Sequence, residues 1–76
     1  MNQRLPAVTA KDVVRALERA GFRVSRTSGS HSRLIHSSDP ARAVTVPMHP
    51  GDLPRGTLRA IVSQAGLTVP EFIALL

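Results

Sequence analysis

Apolar residues recur along this chain with two periods, and the switch between them divides it into elements. Ala10, Val13, Val14, Leu17 and Ala20 follow helical spacing and predict a helix over 10–20. Thr9 with Asp12 three residues on forms a capping-box pair, Val8 and Val13 stand at staple positions, and Gly21 supplies a left-handed stop. From Phe22 the pattern alternates, which predicts strands over 22–27, 30–36 and 42–48. Ser28-Gly29 and the Asp39-Pro40 segment mark the turns between them. A loop rich in Pro and Gly begins at His49 and runs into a helix over 55–65, with Leu58, Ile61, Val62 and Ala65 on its apolar face. Thr68 with Glu71 repeats the capping pair and Leu67 with Phe72 the staple, ahead of a short helix over 69–75.

The resulting order, α-β-β-β-α with an extra short C-terminal helix, predicts an α+β fold in which a three-stranded antiparallel sheet carries its helices on one face. Without the last helix this is the order of double-stranded-RNA-binding domains, which read A-form shape through phosphates and 2′-hydroxyls. Topology alone does not establish function. The 76 residues make one domain, 1–76, with 1–7 expected as a mobile lead-in that Pro6 stiffens.

Composition narrows the chemistry. With no cysteine, disulfides and thiolate metal sites are excluded, and three scattered histidines do not make a structural zinc site. No cofactor and no metal is therefore expected. Ten Lys+Arg against five Asp+Glu leave a net charge of +5, and all the bases except Lys11 are arginine. Guanidinium groups bind phosphate bidentately and stay charged when partly buried. Between Glu18 and Asp39 lie Arg19, Arg23, Arg26 and Arg33 with His31 and His36 and no acid, a stretch suited to nucleic acid or an acidic protein. Lys11, Arg15 and Arg19 form a helix stripe that Asp12 and Glu18 largely compensate. The only aromatics are two Phe, so RNA would be held through phosphates rather than by stacking. No signal pattern and no membrane-length apolar run is present, and the cytoplasm is the expected location.

The sharpest local feature is Gly29-Ser30-His31. With Ser28 and Gly29 at the centre of a hairpin turn, Arg26 faces His31, Val24 faces Arg33 and Phe22 faces Ile35. One sheet face then carries Phe22, Val24 and Ile35, with Arg26, His31 and Arg33 towards the turn. An imidazole flanked by guanidiniums suits phosphoryl transfer. RNA supplies its own 2′-OH as nucleophile, histidine moves protons near neutral pH, and arginine steadies the developing charge. His36, beside Ser37-Ser38, reads as a solvent-exposed turn residue. His49, before Pro50-Gly51, reads as a loop residue at a strand end from which the same site is within reach.

As a whole the sequence resembles the HicA (YcfA-like) family of small bacterial mRNA interferase toxins paired with HicB antitoxins. The resemblance rests on Ala20-Gly21-Phe22, Gly29-Ser30-His31, Val44-Thr45-Val46-Pro47, and Gly56-Thr57-Leu58-Arg59-Ala60-Ile61 running on to Gln64-Ala65-Gly66-Leu67, in one order and spacing. It implies a double-stranded-RNA-binding-like fold, metal-independent mRNA cleavage with His31 as catalyst, and a HicB-type antitoxin that covers the site. Gly29, Ser30, Arg26 and Arg33 are then the expected RNA-binding residues. Ser28 and Ser32 depart from the basic and bulky residues common at those positions in the family. The competing readings are a non-catalytic RNA-binding module of the same fold and a subunit whose basic face holds an acidic partner.

Overall fold

The computed structural model describes residues 4–76. Its elements are α1 (Ala10–Arg19), β1 (Phe22–Ser28), β2 (His31–His36), β3 (Ala43–Pro47), α2 (Arg55–Gln64) and α3 (Val69–Ala74). Every boundary lies within one residue of its expected place, because the signals that set it are local. Thr9 accepts from the Asp12 N–H and Asp12 accepts from the Thr9 N–H, and Thr68 and Glu71 repeat the reciprocal pair at the start of α3.

The strands form one antiparallel sheet in the order β1-β2-β3. Leu34, Val44 and Val46 are completely buried, as are Val13, Ala16 and Leu17 of α1 and Phe72 of α3, with Leu58, Ile61 and Val62 of α2 nearly so. These residues belong to one core cluster, so the helices share one face of the sheet and leave the other uncovered. The arrangement is the α-β-β-β-α order of double-stranded-RNA-binding domains with one added helix. Part of the lead-in expected over 1–7 lies outside the described residues. Within the described part, Leu5 is only 3% exposed and belongs to the core. Behind it Val8 accepts from the Leu53 N–H at 2.9 Å, and Thr9 bridges to Asp52, so this segment is stitched to the loop before α2. No helix among the described residues is long and apolar enough to cross a membrane.

The C-terminal end of each helix is closed by a basic side chain from elsewhere. The last carbonyls of a helix lack partners within it and carry the negative end of its dipole, so a cationic or N–H donor there is favourable. The Ala20 carbonyl, after α1, accepts from His36 Nε2 at 3.1 Å. The Ala65 carbonyl, after α2, accepts from Arg42 Nε and Nη2 at 3.0 and 2.7 Å. The Leu75 carbonyl, after α3, accepts from Arg19 Nη1 at 2.7 Å. Phe22 sits between two of these donors, edge-on to His36 at 5.0 Å and with the Arg42 guanidinium 5.3 Å above its ring. His36 is thus half-buried, with its Nδ1 accepting from the Ser38 N–H, and is not the solvent-exposed turn residue that its neighbours Ser37 and Ser38 suggest.

The contacts at both ends of the helices have measurable consequences. Gly21 has φ +100°, and a Cβ there would lie 2.9 Å from His36 Nε2, which is held by its own hydrogen bonds. Gly21→Ala is therefore expected to lower unfolding free energy by more than the roughly 1–2 kcal/mol that a left-handed backbone alone costs an L residue, measured by urea denaturation. Asp12 and Glu71 are each held below the usual carboxylate range, first by the backbone N–H of the capping threonine and then by its hydroxyl. Their lowered values mean that this stabilisation is present at neutral pH and is lost as the pH falls below about 4. In an acid melt, the pair Asp12→Asn with Glu71→Gln is expected to start less stable and to decline less steeply than the parent.

Candidate nucleic-acid interface

Because Leu34, Val44 and Val46 point under the helices, the alternate residues of their strands occupy the uncovered face. On β2 and β3 these pair as His31 with Pro47, Arg33 with Thr45 and Ile35 with Ala43. Their neighbours on β1 are Ser28, Arg26 and Arg23 respectively. Arg23, Arg26, Arg33 and His31 therefore share one face, and all four are exposed.

Arg23 and Arg26 are three residues apart and would face opposite ways in a regular strand. They share a face because β1 contains a bulge. Val24 pairs with Leu34 and Arg26 with Arg33, which leaves Ser25 as an extra residue whose hydroxyl donates to the Arg33 carbonyl at 3.3 Å.

The hairpin register differs from the expected one. Ser28 pairs with His31, so the two-residue turn is Gly29-Ser30 rather than Ser28-Gly29. Gly29 has φ +58° and no other residue type among the described ones has a positive φ, so glycine takes the first central position, as in a type II′ turn. Centring the turn one residue earlier in the type I′ geometry would force Ser28 into the left-handed region. The observed pairing moves Arg26 from opposite His31 to opposite Arg33, a change of two residues on the partner strand. An even change keeps the face, so Arg26, His31 and Arg33 remain together. Beyond the bulge the change is odd. Phe22 and Val24 accordingly lie on the helix side, opposite to Ile35, with Phe22 buried in the core and Val24 41% exposed at the sheet edge.

Arg26 directly opposite Arg33 is an unfavourable rung, since like charges across a pair of strands repel. The third residue of that rung is Thr45, which offers no carboxylate. A face built this way is relieved by an anion. At its turn end, His31 Nδ1 lies 3.4 Å from the Ser30 hydroxyl, and the His31 ring stands edge-on to that of His49, with centroids 6.3 Å apart. His49 is thus the loop residue within reach of the site that its position at a strand end implies, and the two rings meet. Arg42 and Arg19 are spent on helix ends and stay off this face. Sequence reasoning missed both, because their carbonyl partners lie 23 and 56 residues away. Among the described residues, no three His, Cys, Asp or Glu side chains are grouped as metal ligands would be.

The family model described as HicA toxin of bacterial toxin–antitoxin matches residues 10–67. That span runs from the first residue of α1 to just past the end of α2 and includes the whole sheet and its turn. No curated protein matches the chain significantly.

The two classes of arginine are expected to separate in a stability measurement. Arg42→Ala removes charged hydrogen bonds from the end of α2 and should cost about 1.5–3 kcal/mol. Arg33→Thr removes a like-charge rung and should leave stability unchanged or raise it by up to about 1 kcal/mol. Thermal melts of the two variants check this, and equal destabilisation would contradict the assignment.

Proposed function

The chain belongs to the HicA toxin family, the toxin half of bacterial toxin–antitoxin pairs, and on that premise we propose that it is a metal-independent endoribonuclease that cleaves mRNA with His31 as its proton-transfer residue. The observation that carries this reading is the placement of His31 on one uncovered sheet face with Arg23, Arg26 and Arg33. Such a face meets the requirements of RNA cleavage, which are few. The substrate's 2′-OH attacks its own phosphate, so the protein must take a proton, return one, and stabilise charge at phosphorus.

In the tautomer whose Nδ1–H donates to the Ser30 hydroxyl, the Nε2 lone pair of His31 is free to accept the 2′-OH proton. Arg26 and Arg33, both exposed, grip the phosphate oxygens with their guanidiniums. Apart from its two chain neighbours, nothing lies within 4 Å of where a Cβ on Gly29 would stand, which leaves the RNA backbone room to approach the turn there, beside Ser30. An antitoxin of the HicB type neutralises the toxin by covering the same arginines with acidic or hydrogen-bonding groups, and its charged rim speeds association.

His31→Ala is expected to abolish RNA cleavage with an unchanged melting temperature, because its ring is exposed and lies outside the core cluster. Chelator should leave wild-type cleavage intact. Replacing Arg26 or Arg33 should weaken RNA binding and reduce the slope of log affinity against log salt by roughly 0.7–0.9 for each phosphate that the variant no longer neutralises. Purified antitoxin and a short RNA should exclude each other. RNA binding by the wild type without cleavage would instead identify a non-catalytic RNA-binding module.

A further inference from the structure

In an in-line displacement at phosphorus the attacking and leaving oxygens stand on opposite sides of the phosphate. An imidazole placed to take the 2′-OH proton is therefore badly placed to protonate the leaving 5′-oxygen. A second proton carrier is needed at a short distance from the first, and its position should be fixed relative to the turn.

His49 meets both conditions. Its ring stands 6.3 Å from that of His31, centroid to centroid, and at 78° to it. The backbone holds the two together: the Met48 N–H donates to the Ser30 carbonyl, and Pro47 pairs with His31 at the end of the sheet. Met48 packs against the core and anchors the residue that follows, while His49 itself is exposed. His49, but not His31, lines a cleft of about 360 Å³ with Met48, Pro50, Gly51 and the first turn of α1, where Lys11 stands. That volume is within the range of small-molecule sites. It offers the nucleoside on the leaving side of the scissile bond a place next to His49, with Lys11 available to the next phosphate.

We propose that His49 is the general acid of the cleavage reaction, an assignment that rests on the endoribonuclease reading above. His31 takes the proton from the 2′-OH, and the 2′-oxygen electron pair forms the new bond to phosphorus. The bond from phosphorus to the 5′-oxygen breaks, its electron pair departs with that oxygen, and His49 in its imidazolium form supplies the proton. The products are a 2′,3′-cyclic phosphate and a 5′-hydroxyl. One proton is gained at His31 and one leaves His49, and exchange with water restores both.

The test uses an RNA oligonucleotide with one cleavage site, and the same oligonucleotide with sulfur in place of the bridging 5′-oxygen at that site. A thiolate leaves without being protonated, so only the general acid becomes dispensable. On the oxygen substrate His49→Ala is expected to lower kcat by about 10²–10⁴-fold with little change in KM and an unchanged melting temperature. On the sulfur substrate the same variant should cleave at close to the wild-type rate, while His31→Ala stays inactive on both. Wild-type rates for His49→Ala on the oxygen substrate, or an equal defect on both substrates, would overturn the assignment and leave the endoribonuclease reading standing. A wild-type protein that cleaves neither substrate would overturn that reading, and this assignment with it.

Discussion

Burial of Leu34, Val44 and Val46 beneath α1 and α2 determines which way every residue of β2 and β3 faces, and the rest of the structure depends on that choice. Strand side chains alternate, so once Leu34 is committed to the core, Arg33 and Ile35 on either side of it must face away. His31, two residues before Arg33, goes with them. The apolar packing that stabilises the sheet is thus the same constraint that gathers basic side chains on its other surface, and no separate interaction is needed to hold them there. Ser32, on the core side of β2 near the turn, is buried and shares a hydrogen bond with Thr27 across the strands at 3.3 Å. A polar pair is tolerated at that end because its hydroxyls satisfy each other.

The net charge of the chain overstates the charge available to a ligand. Arg42 and Arg19 each donate to a helix-terminal carbonyl, and His36 does the same with one ring nitrogen while the other accepts from the backbone. These contacts solve a general problem of small folds. Short helices leave a large share of their carbonyls unpaired, and a core of this size has little energy to spare for them. Using donors from other elements also ties the end of α1 to β2, the end of α2 to the start of β3, and the end of α3 to α1. Phe22, lying between His36 and Arg42, joins two of these ties to the core.

The remaining arginines have the opposite character. Arg26 opposite Arg33 sets like charges against each other across the sheet, and the bulge at Ser25 brings Arg23 to the same side. Local repulsion of this kind, set into a fold whose buried polar groups are well paired, is the feature on which the proposed RNA contact rests. Among the described residues no buried side-chain donor or acceptor lacks a partner, so the unfavourable rung stands apart from the economy of the interior.

Much of this was legible in the sequence. The six elements, their capping pairs and the α+β order depend on contacts three or four residues apart or on two-residue alternation, and those patterns are complete within short windows. The gathering of Arg26, His31 and Arg33 was legible too, although through a register two residues away from the real one, since an even shift preserves the face. What the sequence could not determine were the features settled between distant segments. The bulge at Ser25 depends on how β1 must bend to keep both Phe22 and Arg26 on their proper sides. The turn is centred on Gly29-Ser30 because only glycine takes the left-handed position, a choice that two candidate registers leave open until the strands pair. The meeting of His49 with His31, the burial of Leu5, and the capture of helix ends by His36, Arg42 and Arg19 join residues 16 to 56 positions apart or in separate elements. No periodicity encodes such contacts. They arise only when helices and sheet pack, because the packing brings unpaired carbonyls and free donors within hydrogen-bond distance.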